Sequence, residues 1–197
     1  HNHTLPLSID SGLRPQVLID RARARALDGL CLTEHDRLWP PEDLDRLRDQ
    51  TGFLILGGCE VTTQIGHVIA IGLREVKPGF HRLETLREAA DRDGAVLIAA
   101  HPLRDGQRIA GHPDLLPLFD GIEVFNGTES AGHNDLAARL AIDLGRPGVG
   151  GSDAHVDHEV GPGATEFDDP VETEQDLIAA LRAGRVRPVD LTLRDRG

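Results

Sequence analysis

The sequence predicts a single compact α/β domain. Three observations point to it. Short apolar runs alternate with amphipathic stretches almost throughout, glycines close several of those stretches, and imidazoles and carboxylates recur where apolar runs end. At 197 residues the chain lies in the single-domain range and can bury a sizeable core. Strands alternating with helices imply βαβ units and parallel pairing, in an open doubly wound sheet or a small, short-looped barrel.

Residues 15–26 keep Val17, Leu18, Ala22 and Ala26 on one side and arginines on the other, so they read as a helix. Residues 29–33, 53–56, 68–73, 96–100, 122–125 and 148–151 read as strands. Most are near-continuous apolar runs, as strands buried on both faces should be. Helical spacing returns at 83–90, 135–144 and 172–181, and Gly94, Gly145 and Gly184 follow these where a helix end favours a left-handed residue. No repeat, low-complexity tract or linker divides the chain, so residues 1–197 are expected to form one domain, with 172–197 as a C-terminal helix and tail.

Composition narrows the function. Aromatic residues make up 3%, so Leu, Ile, Val and Ala must fill the core. Thirty-three acidic residues against 21 basic ones give a formal charge of −12, which argues against a nucleic-acid binder with a basic face. No run approaches the ~18 apolar residues of a membrane span. Two cysteines, Cys31 and Cys59, cannot scaffold a disulfide fold; both lie in apolar runs and read as buried thiols of a reducing cytoplasm. The chain opens at His1 and contains no Met, so it is expected to have been trimmed or renumbered upstream.

Functional groups in α/β folds collect at the carboxyl ends of the strands. There this sequence places His1-Asn2-His3, Asp10, Glu34-His35-Asp36, Cys59-Glu60, His67, His101-Pro102 and Ser152-Asp153-Ala154-His155. A lone histidine at a strand end is usually a satisfied polar residue. The pairs are more informative: residues i and i+2 of a strand share a face, so His1 with His3, and Asp153 with His155, can each reach one ion. Imidazoles mixed with carboxylates suit Zn, Fe or Mn.

Five ordered blocks, His1-Asn2-His3-Thr4, Thr33-Glu34-His35-Asp36, Gly58-Cys59-Glu60, Ala100-His101-Pro102 and Gly151-Ser152-Asp153-Ala154-His155, resemble the signatures of the polymerase and histidinol phosphatase (PHP) family. The late segment 176–187 also resembles the C-terminal part of short PHP proteins. The resemblance implies a distorted seven-stranded (β/α) barrel, similar to a TIM barrel, with a trinuclear metal site and phosphoester hydrolysis. Carried over by position, His1, His3, Glu60 and Asp153 would hold the first ion. Glu60, as a bridge, with His67 and His101 would hold the second, and Asp10, His35 and His155 the third. Asp10 stands where the family alternates Asp and His, and His67 lies in the short block Gly66-His67-Val68. The family's usual Asp-Leu before the first histidine is absent here, so the first strand is expected to be incomplete.

Nine such ligands around three divalent ions would carry about +3, drawing a phosphate despite the overall −12. A hydroxide bridging two of the ions would be the nucleophile, since coordination lowers the pKa of water to roughly 7. Glu60 is therefore the first catalytic candidate. Arg104 could fork onto a substrate phosphate, and Asn126 ends a strand where it meets the pocket. Arg37, Arg108 and His158 are weaker candidates, and His81, His112 and His133 read as surface residues. Only 51 residues separate His101 from Asp153, too few for an inserted lid domain. The expected substrate is a small phosphomonoester or short phosphodiester, not extended nucleic acid or a membrane. Hydrolysis of a carboxylic ester, carbamate or amide by the same site, or a metal-binding regulatory domain without turnover, are the other readings.

Overall fold

The computed structural model describes residues 1–104 and 109–192; Arg108 lies outside them. Six strands pair in one sheet in chain order: β1 (Gly29–His35), β2 (Leu54–Thr63), β3 (Gly66–Ile71), β4 (Val96–Ala99), β5 (Gly121–Asn126) and β6 (Gly148–Gly151). The pairings β1–β2, β4–β5 and β5–β6 are parallel, whereas β2–β3 and β3–β4 are antiparallel.

The antiparallel pairs depart from the all-parallel expectation, and the glycines of β2 explain why. Gly57-Gly58 does not end the strand as a loop. A Cβ on Gly58 would lie 2.5 Å from Ile71 Cδ1 and 3.1 Å from Thr33 Cγ2, so the bare backbone lets flanking strands close over it. The strand therefore continues to Thr63 and turns back through Gln64-Ile65 into β3.

The sheet curls. Asn2 O accepts a hydrogen bond from Thr33 N of β1 at 3.0 Å, while Asn2 also forms a parallel bridge with Ala154, beyond β6. His3 N donates to Ala154 O at 3.1 Å and Asp153 N donates to His1 O at 2.9 Å. One segment can touch both edge strands only if the sheet bends round to face itself. The result among the described residues is a six-stranded half-barrel, where seven strands were expected. Residues 1–3 occupy the gap between its edges with a single bridge.

Five helices flank the sheet: α1 (Pro15–Ala24), α2 (Pro41–Thr51), α3 (Leu83–Asp93), α4 (Ala131–Leu144) and α5 (Glu174–Arg182). Helix α2 escaped the periodicity reading because it buries only Leu44. It is set instead by Pro41 in its first turn, acidic Glu42 and Asp43 at its positive end, and Gly52 in the left-handed region at its close. Leu18, Ile19 and Ala22 of α1 pack on Leu30, Leu32 and Ile55. Leu83 and Leu86 of α3 pack on Val61, Val68 and Leu97, and Leu177, Ile178 and Leu181 of α5 on Leu56, Ile69, Ile71 and Ile98. Burying each such leucine or isoleucine contributes about 1.5–3 kcal/mol.

A separate antiparallel ribbon joins β7 (Gly163–Phe167) and β8 (Val186–Asp190). Segment 172–197 is thus not only helix and tail: β8 lies in it, hidden from sequence reading because Arg187 and Pro188 are exposed. The ribbon sits against β6, where Thr165 Oγ1 donates to Gly150 O at 2.8 Å and accepts from Gly150 N at 3.0 Å. A Cβ on Gly150 would fall 2.2 Å from Ala164 O, and one on Gly163 2.2 Å from Gly151 O.

Candidate metal centre

Glu60, on β2 and 1% exposed, is the hub of the site. Its Oε1 lies 3.2 Å from His1 Nε2, 3.0 Å from His101 Nε2 and 3.2 Å from His67 Nδ1. Its Oε2 lies 3.3 Å from His3 Nε2 and 3.0 Å from His35 Nδ1. Asp153 Oδ1 stands 3.4 Å from His1 Nε2 and 3.3 Å from His3 Nε2. Asp10 Oδ2 spans His35 Nε2 at 3.1 Å and His155 Nε2 at 3.5 Å. All nine residues singled out from the sequence as metal ligands therefore meet in one place, drawn from the segment 1–10, from β1, β2 and β3, and from the residues that follow β4 and β6.

Several of these ends carry unusual backbone. Asp36, His101 and Asp153 adopt positive φ of 53°, 26° and 54°. For non-glycine residues this costs on the order of 1–3 kcal/mol each, and such strain gathers at functional sites. The Asp36 turn is held by its carboxylate, which accepts from Thr62 N and Thr62 Oγ1, both at 2.8 Å.

The donor set fits metal ions. Four trios place one ligand atom from each member within 4.8 Å of the others: His3, His35 and His155; His1, His3 and Asp153; His1, Glu60 and His101; His35, Glu60 and His67. Buried His101 Nδ1 makes no hydrogen bond. Polar atoms left so are costly, and a cation coordinated by imidazole and carboxylate removes the cost. The grouping differs from that implied by the family resemblance: His1, His3 and His35 are each shared between two trios, His67 and His101 fall in different trios, and Asp10 joins none.

Charge coupling is strong. Burial opposes charging of His1, but Glu123, Asp153 and Glu60 outweigh it and hold its pKa well above 6.5. The hydrogen bond with Glu60 leads in raising His35, helped by Asp10. Burial would raise Glu60, yet His1, His101 and His3 drive it well below the usual carboxylate range. A cation entering the centre must displace protons from His1 and His35, so its affinity rises with pH until their raised pKa values, above 6.5, are passed. Zn²⁺ titrations in buffers of differing protonation enthalpy are expected to show proton release and a falling Kd from about pH 6 to 8. A pH-independent Kd would contradict this.

Other candidates divide. Arg104 Nη2 donates to Asp153 Oδ2 at 2.6 Å and Thr128 Oγ1 at 2.9 Å, and Arg104 Nε donates to Glu129. It stands at the rim, 32% exposed. Asn126 is buried: its amide nitrogen donates to Glu123 Oε2 at 2.9 Å and Asp153 Oδ2 at 3.3 Å. Arg37 and His158 are exposed and join no donor trio, nor do His81 and His112. His133 is half-buried rather than free at the surface, its Nδ1 2.6 Å from Glu129 Oε2. Cys59 is buried as expected, whereas Cys31 is only partly so.

Two buried carboxylates, Glu34 and Glu123, had no role assigned from the sequence. Glu34, fully buried, accepts from Thr4 N and Trp39 Nε1 at 2.8 Å each and from Ser8 Oγ at 2.5 Å; Ser8 Oγ lies 3.4 Å from His3 Nδ1. Glu123, 1% exposed on β5, faces His1 Nδ1 at 2.9 Å. The available signal was an acid inside an apolar strand run, where a charge must find partners.

Residues 131–186 match the family model for the PHP-associated segment. An uncharacterized protein of Methanocaldococcus jannaschii is 26% identical over 135 residues, covering 68% of this chain and 78% of that protein. A two-domain protein of Bacteroides vulgatus, containing a predicted PHP-like metal-dependent phosphoesterase, superposes with a TM-score of 0.75 at 23% identity. The match covers 96% of this chain and 63% of that one. An amidohydrolase of Chromobacterium violaceum, solved with sulfate and no metal, gives 0.64 at 20% identity over 96% of each chain. No described helix is long and apolar enough to cross a membrane. The C-terminal segment and the overall fold are thus similar to those of PHP-domain proteins.

Proposed function

We propose that the protein is a metal-dependent phosphoesterase acting on small phosphomonoesters or short phosphodiesters. The observation that carries this reading is the ring of five imidazoles around the buried carboxylate of Glu60, with Asp153 beside it. His1, His3, Glu60 and Asp153 would hold one ion, Glu60 with His67 and His101 a second, and Asp10, His35 and His155 a third. When bound, Zn, Mn or Fe ions supply Lewis acidity and an attacking hydroxide at neutral pH.

The chain's own residues supply placement and charge. Arg104 stands beside Asp153 with part of its guanidinium exposed, in position to donate to phosphate oxygens. Burial works against its charge, but Asp153 and Glu129 hold it firmly protonated. Thr128 and Asn126 donate to the same Asp153 oxygen, Oδ2, as Arg104 does. Neither cysteine competes as a nucleophile. Burial, with Glu174 nearby, pushes the Cys31 thiol up to about 12, and burial also raises Cys59, so both stay protonated.

The test compares an aryl phosphate, the matching aryl carboxylic ester, an aryl amide and an oligonucleotide on metal-loaded protein. The phosphate is expected to turn over fastest. Arg104→Ala should lower its kcat/KM by about 10–100-fold, the worth of one charge-assisted hydrogen bond, while barely affecting the neutral ester. Faster turnover of the ester or amide would overturn the phosphoester reading. An oligonucleotide preferred by more than about a hundredfold, near 2.7 kcal/mol, would reveal an extended binding groove.

A further inference from the structure

We infer that Glu123 is a positioning residue that sets the ring of His1, and through it the two donor trios to which His1 belongs. The inference rests on the metal-centre reading above. Both oxygens of Glu123 are engaged: Oε1 is 2.9 Å from His1 Nδ1, and Oε2 accepts from His101 N and Asn126 Nδ2, each at 2.9 Å. A carboxylate is acceptor-only, so all three partners must present hydrogens to it. That puts a proton on His1 Nδ1 and leaves Nε2 aimed at Glu60 and Asp153, the direction in which a ligand lone pair is needed. A carboxylate behind an imidazole fixes its tautomer and raises its strength as a donor.

The surroundings are shaped for this contact. A Cβ on Gly151 would fall 2.2 Å from Glu123 Oε1 and 2.7 Å from His1 Cβ. Gly151 has no positive φ, so the glycine is required by space and not by backbone conformation. Glu123 also reaches His101 through its backbone and Asp153 through Asn126. Its contacts therefore extend to His1, His101 and Asp153, and not to His35, His67 or His155.

Glu123→Gln offers one acceptor oxygen where three donors need two. Gly151→Ala displaces the carboxylate without changing any charge. The first measurement is long-range ¹⁵N NMR of histidine rings in chelated protein, at a pH where the imidazoles are neutral. The parent is expected to carry the His1 proton on Nδ1, and both variants to lose that preference. The second is Zn²⁺ titration. Both variants should weaken the His1-dependent uptake by about 10–100-fold and leave unchanged the uptake that His155→Ala removes. A proton on Nε2 of parent His1, or a tautomer and affinity unchanged in a folded variant, overturns the inference. Parent protein that takes up no Zn²⁺ refutes the metal reading instead, and the ring measurement still decides the role of Glu123.

Discussion

Glu60→Gln is expected to lower kcat by more than about a hundredfold, exceeding the loss typical of residues that only support a ligand. The side chain keeps its shape and loses its charge, so little repacking is needed. What disappears is the anion on which His1, His3, His35, His67 and His101 converge within 3.3 Å. Two of the four donor trios include Glu60, and His35 and His1 link it to the others. The loss should therefore fall on kcat and metal stoichiometry together, not on KM. Steady-state kinetics with elemental analysis of the same preparation measures both. An unchanged kcat with a raised KM would show that Glu60 helps hold substrate and does not organise the centre.

Chelation is expected to lower Tm by roughly 5–10 °C. A cation at a hundred times its Kd contributes about 2.7 kcal/mol, and a chain of this size shifts by about 2–4 °C per kcal/mol. The fold should survive, because without metal the centre is a set of ion pairs: His1 is held charged by Glu123, Asp153 and Glu60. That compensation depends on pH. A histidine whose folded pKa lies above its unfolded value stabilises fully below the unfolded value, near 6.5, and loses the contribution as pH rises through the folded one. Chelated protein should therefore weaken as pH climbs above 6.5, while the metal-loaded form, which holds no such proton, should not follow it. Calorimetry at two pH values, with and without chelator, checks the sign. An identical Tm in all four conditions would show that no cation binds the native state.

All six strands of the sheet were legible in the sequence, most of them because they bury an apolar run, and burial on both faces leaves little ambiguity. Their directions were not. Parallel pairing followed from counting helices between strands, but nothing in the composition of residues 57–65 shows that β2 runs on and turns back. The clustering of the candidate ligands was legible because their chemistry is rare in apolar strand runs and repeats here. Their supports, Glu34 and Glu123, were hidden for a physical reason: a buried carboxylate is marked by its partners, and Thr4, Ser8, His101 and His1 lie 22 to 122 positions away in the chain. Asn126 was noticed for its place at a strand end, yet its bond to Asp153 belongs to tertiary packing alone. The ribbon of β7 and β8 escaped for the opposite reason, since strands half open to water carry no apolar run.

The seam between β6 and β7 has a consequence for how this sequence can drift. Gly150 and Gly163 each leave room for a carbonyl oxygen where any other residue would place a carbon. A glycine codon has no missense neighbour without a Cβ, so no single-base missense change at either position avoids the clash. Neither oxygen belongs to a side chain that could swing aside, and the segment beyond β6 carries Asp153 and His155 into the centre. Lineages can therefore exchange rim residues around Arg104 one at a time and explore new leaving groups, while this strip stays closed to stepwise change. The freedom to alter specificity and the obligation to keep the scaffold fall on different codons.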